Sequence, residues 1–170
     1  MPVGNMSDFV TLGLQLLHDR AGTVGLTTTH VLPAINYHKS LSTEKNRYLS
    51  LGFTGGWVQR RFDLSKVTTN TQYNGGGIGE NFAGPQYSYI DGSAGMSYNS
   101  TLGKDENNNF FIGAAYHHFT RPKNAFFRNA GIEIEPKWVF SGGMRFGVTD
   151  YAYITLQADH SRQGNFSETI

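Results

Sequence analysis

Cysteine is absent from the 170 residues, which excludes a disulfide framework and thiolate metal sites. Charge is scarce: Lys, Arg, Asp and Glu make up 16% of the chain, against about 25% in a typical soluble domain. The net charge of +1 leaves no basic footprint, so nucleic acid is not an expected partner. No run of about 18 apolar residues occurs, so no spanning helix is encoded. A spanning barrel stays open, because its strands are individually weak signals. The opening MPVGNMSDF lacks a basic-then-apolar signal segment, so the chain reads as processed or as a piece of a longer protein.

What fills the deficit is 21 Gly, 12 Phe and 9 Tyr, with much Ser, Thr and Asn. That mixture suits strands and turns. Alternation with period two marks strands over Asp8–His18, Thr23–Ser40, Tyr48–Trp57, Tyr89–Asn99, Phe110–His117, Trp138–Phe146 and Ala152–Ala158. In the second, Val24 and Leu26 fall on one parity and Val31, Ile35 and Tyr37 on the other, so a bulge is expected at His30–Pro33. Gln59–Gln86 and Thr120–Glu135 read as long connections. Leu41–Asn46, Leu102–Asn108 and Val148–Asp150 read as short turns.

About seven strands of about ten residues exceed the five to six of soluble sheets and match the 9–11 of transmembrane strands. One face is apolar; the other is polar or glycine-rich, as a wet lumen requires. Asp91, Arg145, Gln157 and Asp159 fall on the polar parity and are candidate lumen residues. Tyr48, Trp57, Tyr89, Tyr98, Trp138, Phe146, Tyr151 and Tyr153 lie near strand ends, like interfacial girdles. The pattern predicts an all-β, antiparallel up-and-down transmembrane β-barrel, residues 1–170 forming one partial barrel domain. For the final hairpin, conserving faces requires paired numbers with an even sum. That means a three-residue Val148–Asp150 connection with Arg145 opposite Tyr153, or a two-residue turn with a compensating bulge.

Chemistry-bearing motifs are few. The six histidines invite a metal reading, yet His117 and His118 are neighbours on a strand and should point to opposite faces. Ordinary hydrogen-bonded histidines explain them better. There is no G-x-S-x-G, H-E-x-x-H or Walker loop. Asp159, His160 and Ser161 are consecutive and cannot converge as a triad. No catalytic residue, cofactor or metal site is expected.

Tyr116–Phe126, YHHFTRPKNAF, resembles a signature of the PorP/SprF family. Those are Bacteroidetes outer-membrane proteins of type IX secretion and gliding motility. FFIGAAYHH before it, Thr27–Thr29, Pro33–His38 and Pro136–Trp138 also resemble family segments. The resemblance implies a non-enzymatic outer-membrane barrel working beside secretion and gliding proteins. Such proteins support export or surface attachment of cargo such as adhesins. Outer-membrane lipid, machinery proteins and secreted cargo are then the partners. His117, His118, Arg121, Pro122 and Lys123 mark a candidate partner loop. Members are longer, with a signal peptide and a further N-terminal strand region. The chain also ends at Phe166–Ile170 without the terminal aromatic of outer-membrane barrels. It therefore reads as an internal piece of a larger barrel. The rival readings are a passive porin-like channel and a soluble lipid-binding barrel.

Overall fold

The computed structural model describes residues 8–42, 46–79, 84–103, 107–126, 131–149 and 151–170. Several expected connections fall partly outside these: Leu41–Asn46, Leu102–Asn108, Val148–Asp150, Gln59–Gln86 and Thr120–Glu135. The described strands are β1 (Phe9–Ala21), β2 (Leu26–Ser40), β3 (Arg47–Arg61), β4 (Gln86–Thr101), β5 (Asn109–His117), β6 (Lys137–Thr149), β7 (Ala152–Gln163) and β8 (Phe166–Thr169). They form one antiparallel sheet in chain order, the expected up-and-down arrangement. The sheet is open, with β1 and β8 at its edges.

The register separates two faces. Leu12, Ile35, Phe53, Ala94, Tyr116 and Trp138 follow one another across β1 to β6 on one side. Between its ends this side carries no charged residue: Leu14, Leu51, Ile90, Met96, Ile112, Phe140, Ile154 and Leu156 continue it, all exposed. The other side carries Ser50, Thr54, Gly95, Ser97, Gly113 and Ser141. A cavity of about 420 Å³ is lined from five adjacent strands, chiefly by such residues. Five neighbouring strands can line one cavity only if the sheet curls around it, so the polar face is concave.

Among the described Val, Ile, Leu, Met, Phe, Tyr and Trp residues only Val58 is buried, while Leu12 is 74% and Phe53 57% exposed. A soluble barrel would turn this stripe inward; here it faces out, as lipid contact requires.

Four details differ from the sequence reading. An eighth strand, Phe166–Thr169, was not expected, because four residues are too few to show a period. The bulge expected at His30–Pro33 is absent: β1 and β2 pair in unbroken register from Ala21↔Leu26 to Phe9↔His38. The parity clash dissolves because Val24 belongs to the turn and Leu26 faces the concave side at the strand's mouth. Of the girdle aromatics, Trp57, Tyr98, Trp138 and Phe146 lie on the convex face. Tyr48, Tyr89 and Tyr153 lie on the concave one, so the girdle is half as populated as expected.

In the β6–β7 hairpin Arg145 pairs with Thr155, not Tyr153, and the register shifts between Gly147 and Thr149, where Thr149 faces Ala152. This is the compensated two-residue alternative, and both faces are preserved. Asp150 itself lies outside the described residues.

Candidate functional site

Connections alternate between two rims. The β1–β2, β3–β4, β5–β6 and β7–β8 links share one, which carries both long connections; the remaining three links share the other. The long-connection rim holds the most elaborate local structure.

β5 ends at His117, opposite Ser93. The next residue, His118, adopts a left-handed φ of 58°, and Phe119 N–H donates to Gly92 O at 3.1 Å. The chain therefore runs on beside β4 one residue out of step, which is the geometry of a bulge. The expectation that the two histidines face opposite ways fails here. His117 Nδ1 shares a hydrogen bond with Ser93 Oγ at 3.1 Å, and His118 Nδ1 donates to Asp91 Oδ2 at 2.6 Å. Both rings thus sit on the concave side, 6.4 Å apart. Asp91 Oδ1 also accepts from Gly92 N–H at 2.8 Å. Phe119 swings to the convex side and covers Gly92, where an added Cβ would lie 2.5 Å from its ring.

Arg121 follows at φ 44°, its N–H closing a turn onto His118 O at 3.0 Å. Pro122 is buried between exposed Arg121 and Lys123. Two arms then pair: Asn124 N–H donates to Ile132 O at 2.9 Å, and Ile134 N–H to Pro122 O at 3.0 Å. Asn124 and Phe126 reach over the concave ends of β3 and β4. Arg60 Nη1 donates to Asn124 Oδ1 at 3.2 Å and to Tyr87 OH at 3.3 Å. Tyr87 OH in turn donates to Asn124 Oδ1. Phe126 packs edge-on against Tyr87 at 4.6 Å and Phe62 at 4.7 Å, each such pair adding about 0.5–1.5 kcal/mol. The family-like motif is therefore a latch: His117 bonds Ser93, His118 grips Asp91, and Asn124 and Phe126 seat on Arg60 and Tyr87. A second cavity of about 400 Å³ lies beside it, lined by Asp19, His30, Arg60, Tyr89 and Asn124 among others.

The described part of the β3–β4 connection contains more regular structure than its sequence suggests. It holds a 3-10 turn, Leu64–Lys66, and a one-turn α1 (Asn70–Tyr73) with a Thr69–Gln72 capping box. Hydrogen bonds from the Ser65 hydroxyl and N–H hold the Asp63 carboxyl below the usual carboxylate range.

The four lumen candidates all lie on the concave face, but they do not form one site. Asp91 belongs to the latch. Gln157 Nε2 donates to Asp159 Oδ2 at 2.9 Å, and Asp159 stands opposite Ser141. Arg145 stacks its guanidinium 3.9 Å from the Tyr153 ring centroid. No group of three metal-ligating side chains occurs among the described residues. Reading the sequence missed Arg60, Tyr87 and Asn124, which lie far apart in the chain and meet only because the latch folds back.

A family model described as type IX secretion system membrane protein PorP/SprF matches residues 1–167. No curated protein and no solved structure matches the chain.

Proposed function

We propose, from the premise that the chain belongs to the PorP/SprF family of type IX secretion system membrane proteins, that it is a partial barrel domain of the outer membrane. In this reading it is a non-enzymatic accessory of secretion and gliding, supporting export or surface attachment of cargo such as adhesins. The observation that carries the membrane reading is the convex face, uncharged from Leu12 on β1 to Leu156 on β7. A charged side chain there would cost about 2–4 kcal/mol at the bilayer midplane for Arg or Lys. Asp91, Arg145, Gln157 and Asp159 then line the lumen. The open edges of β1 and β8 suit a sheet completed by further strands.

The latch supports the accessory role over a passive channel. The described part of this segment, docked on the concave ends of β3 and β4 with Arg121 and Lys123 left exposed, presents a shaped surface to a partner. Deletion of the gene is expected to impair both cargo export and colony spreading, and fractionation of the full-length protein to place it in the outer membrane. Normal export and spreading in the deletion strain would remove the accessory role. Recovery from the soluble periplasm would remove the membrane reading.

A further inference from the structure

Three strands reach the long-connection rim with the same outward pattern. On β1 it is Leu16, His18, Arg20; on β3, Trp57, Gln59, Arg61; on β7, Ala158, His160, Arg162. In each, the apolar stripe yields to one hydrogen-bonding residue and then to an arginine. The two histidines of the intermediate row are satisfied across strands: His18 Nδ1 shares a hydrogen bond with Thr29 Oγ1 at 3.0 Å, and His160 Nδ1 with Thr169 Oγ1 at 2.8 Å. Arg20 and Arg61 both pair with Thr27 of β2, one from each side, and Arg162 stands opposite Trp138. All three arginines are exposed.

The convex ends of the strands at this rim carry no carboxylate among the described residues. Asp63, whose carboxyl feels the charge of Arg20, sits in the adjoining loop and is already engaged by Ser65 and by Lys66 at 3.8 Å. The opposite rim differs: of the outward charges on its described strand ends, Asp8, Lys39 and Arg47, the first two neutralise each other at 3.2 Å.

Four residues separate Trp57 from Arg61, about 13 Å along a strand and about 10 Å along the normal at a typical tilt. The headgroup layer is about 5–8 Å thick on each side, and arginine reaches back toward it. Guanidinium binds phosphate oxygens in pairs. We propose that Arg20, Arg61 and Arg162 form a belt binding the phosphates of an anionic glycolipid in the outer leaflet. This rests on the barrel reading above, with the long connections facing outward.

The test uses full-length protein in phosphatidylcholine nanodiscs containing phosphorylated lipid A, dephosphorylated lipid A or phosphatidylglycerol, with retained lipid counted by native mass spectrometry. Wild type is expected to favour phosphorylated lipid A, and each of R20Q, R61Q and R162Q to lower its retention about fivefold. R47Q, at the other rim, should leave retention unchanged. Heat-modifiable gel migration checks that each variant is folded; the single variants decide if the triple one is not. Equal retention by R20Q/R61Q/R162Q and wild type overturns the belt, as does wild-type indifference to the phosphate. Preference for phosphatidylglycerol through the same arginines also overturns it. Protein recovered outside membranes refutes the barrel reading and the belt together, whereas insertion without phosphate preference removes the belt alone.

Discussion

A methyl group at Gly56 would lie 2.1 Å from Val31 O and 3.0 Å from Leu32 Cα. At this point the β2–β3 pairing passes over Leu32 and Pro33, because Pro33 has no N–H to give the ladder, and the two backbones close in on each other. Gly56→Ala is therefore expected to destabilise the sheet by about 1–3 kcal/mol, lowering the temperature at which the folded band is lost on gels. Gly77→Ala, with nothing within 4 Å, should leave that temperature unchanged; equal behaviour of the two variants would refute the close approach. At the start of β1, Asp8 accepts from Ser40 N–H at 2.8 Å, Tyr37 OH at 2.8 Å and Lys39 Nζ at 3.2 Å. The Ser40 N–H, followed by Tyr37, holds its carboxyl below the ordinary range. A depressed folded value means the stabilisation is complete above the unfolded value, about 4, and is lost as pH falls through the folded one. Asp8→Asn should therefore melt below wild type at neutral pH and converge with it in strong acid. A gap that widened on acidification would contradict the assignment.

The latch is held by few groups, so its tip should be separable from the sheet. Asn124→Leu removes the acceptor shared by Arg60 and Tyr87 and leaves a half-buried guanidinium short of a partner, at a cost of about 1–3 kcal/mol. Limited proteolysis should then cut near Arg121 and Lys123 faster, while global melting changes little. Unchanged cutting would show that Phe126 alone seats the tip. The strands themselves were legible because each has one apolar parity, but their ends were not. The stripe stops at Leu16, Trp57 and Ala158 while the ladder runs on through Arg20, Arg61 and Arg162, since backbone pairing does not need apolar side chains. The bulge was expected at His30–Pro33 from a parity clash. It lies instead at His118, where a left-handed histidine leaves no trace in the hydrophobic pattern.

For the whole molecule the alternation of faces was plain in the sequence, and so was the family-like motif. The convergence of Arg60, Tyr87 and Asn124 was not, since each is an ordinary polar residue and only the folded-back connection joins them. Topology then fixes a further consequence. An up-and-down sheet sends successive connections to opposite rims, so the β3–β4 loop with α1 and the latch share a side, and the β6–β7 turn lies on the other. In outer-membrane barrels long loops face outward and short turns face the periplasm. The chain contains no cysteine, so one introduced thiol is an unambiguous reporter. Asn74→Cys follows α1 in an exposed stretch, and Val148→Cys is 60% exposed as valine beside the β6–β7 turn. Whole cells treated with a membrane-impermeant maleimide should label the first and spare the second until the outer membrane is permeabilised. The reverse pattern would turn the barrel over, placing the latch and the arginine belt in the periplasmic leaflet. It would deny the latch any encounter with cargo at the cell surface.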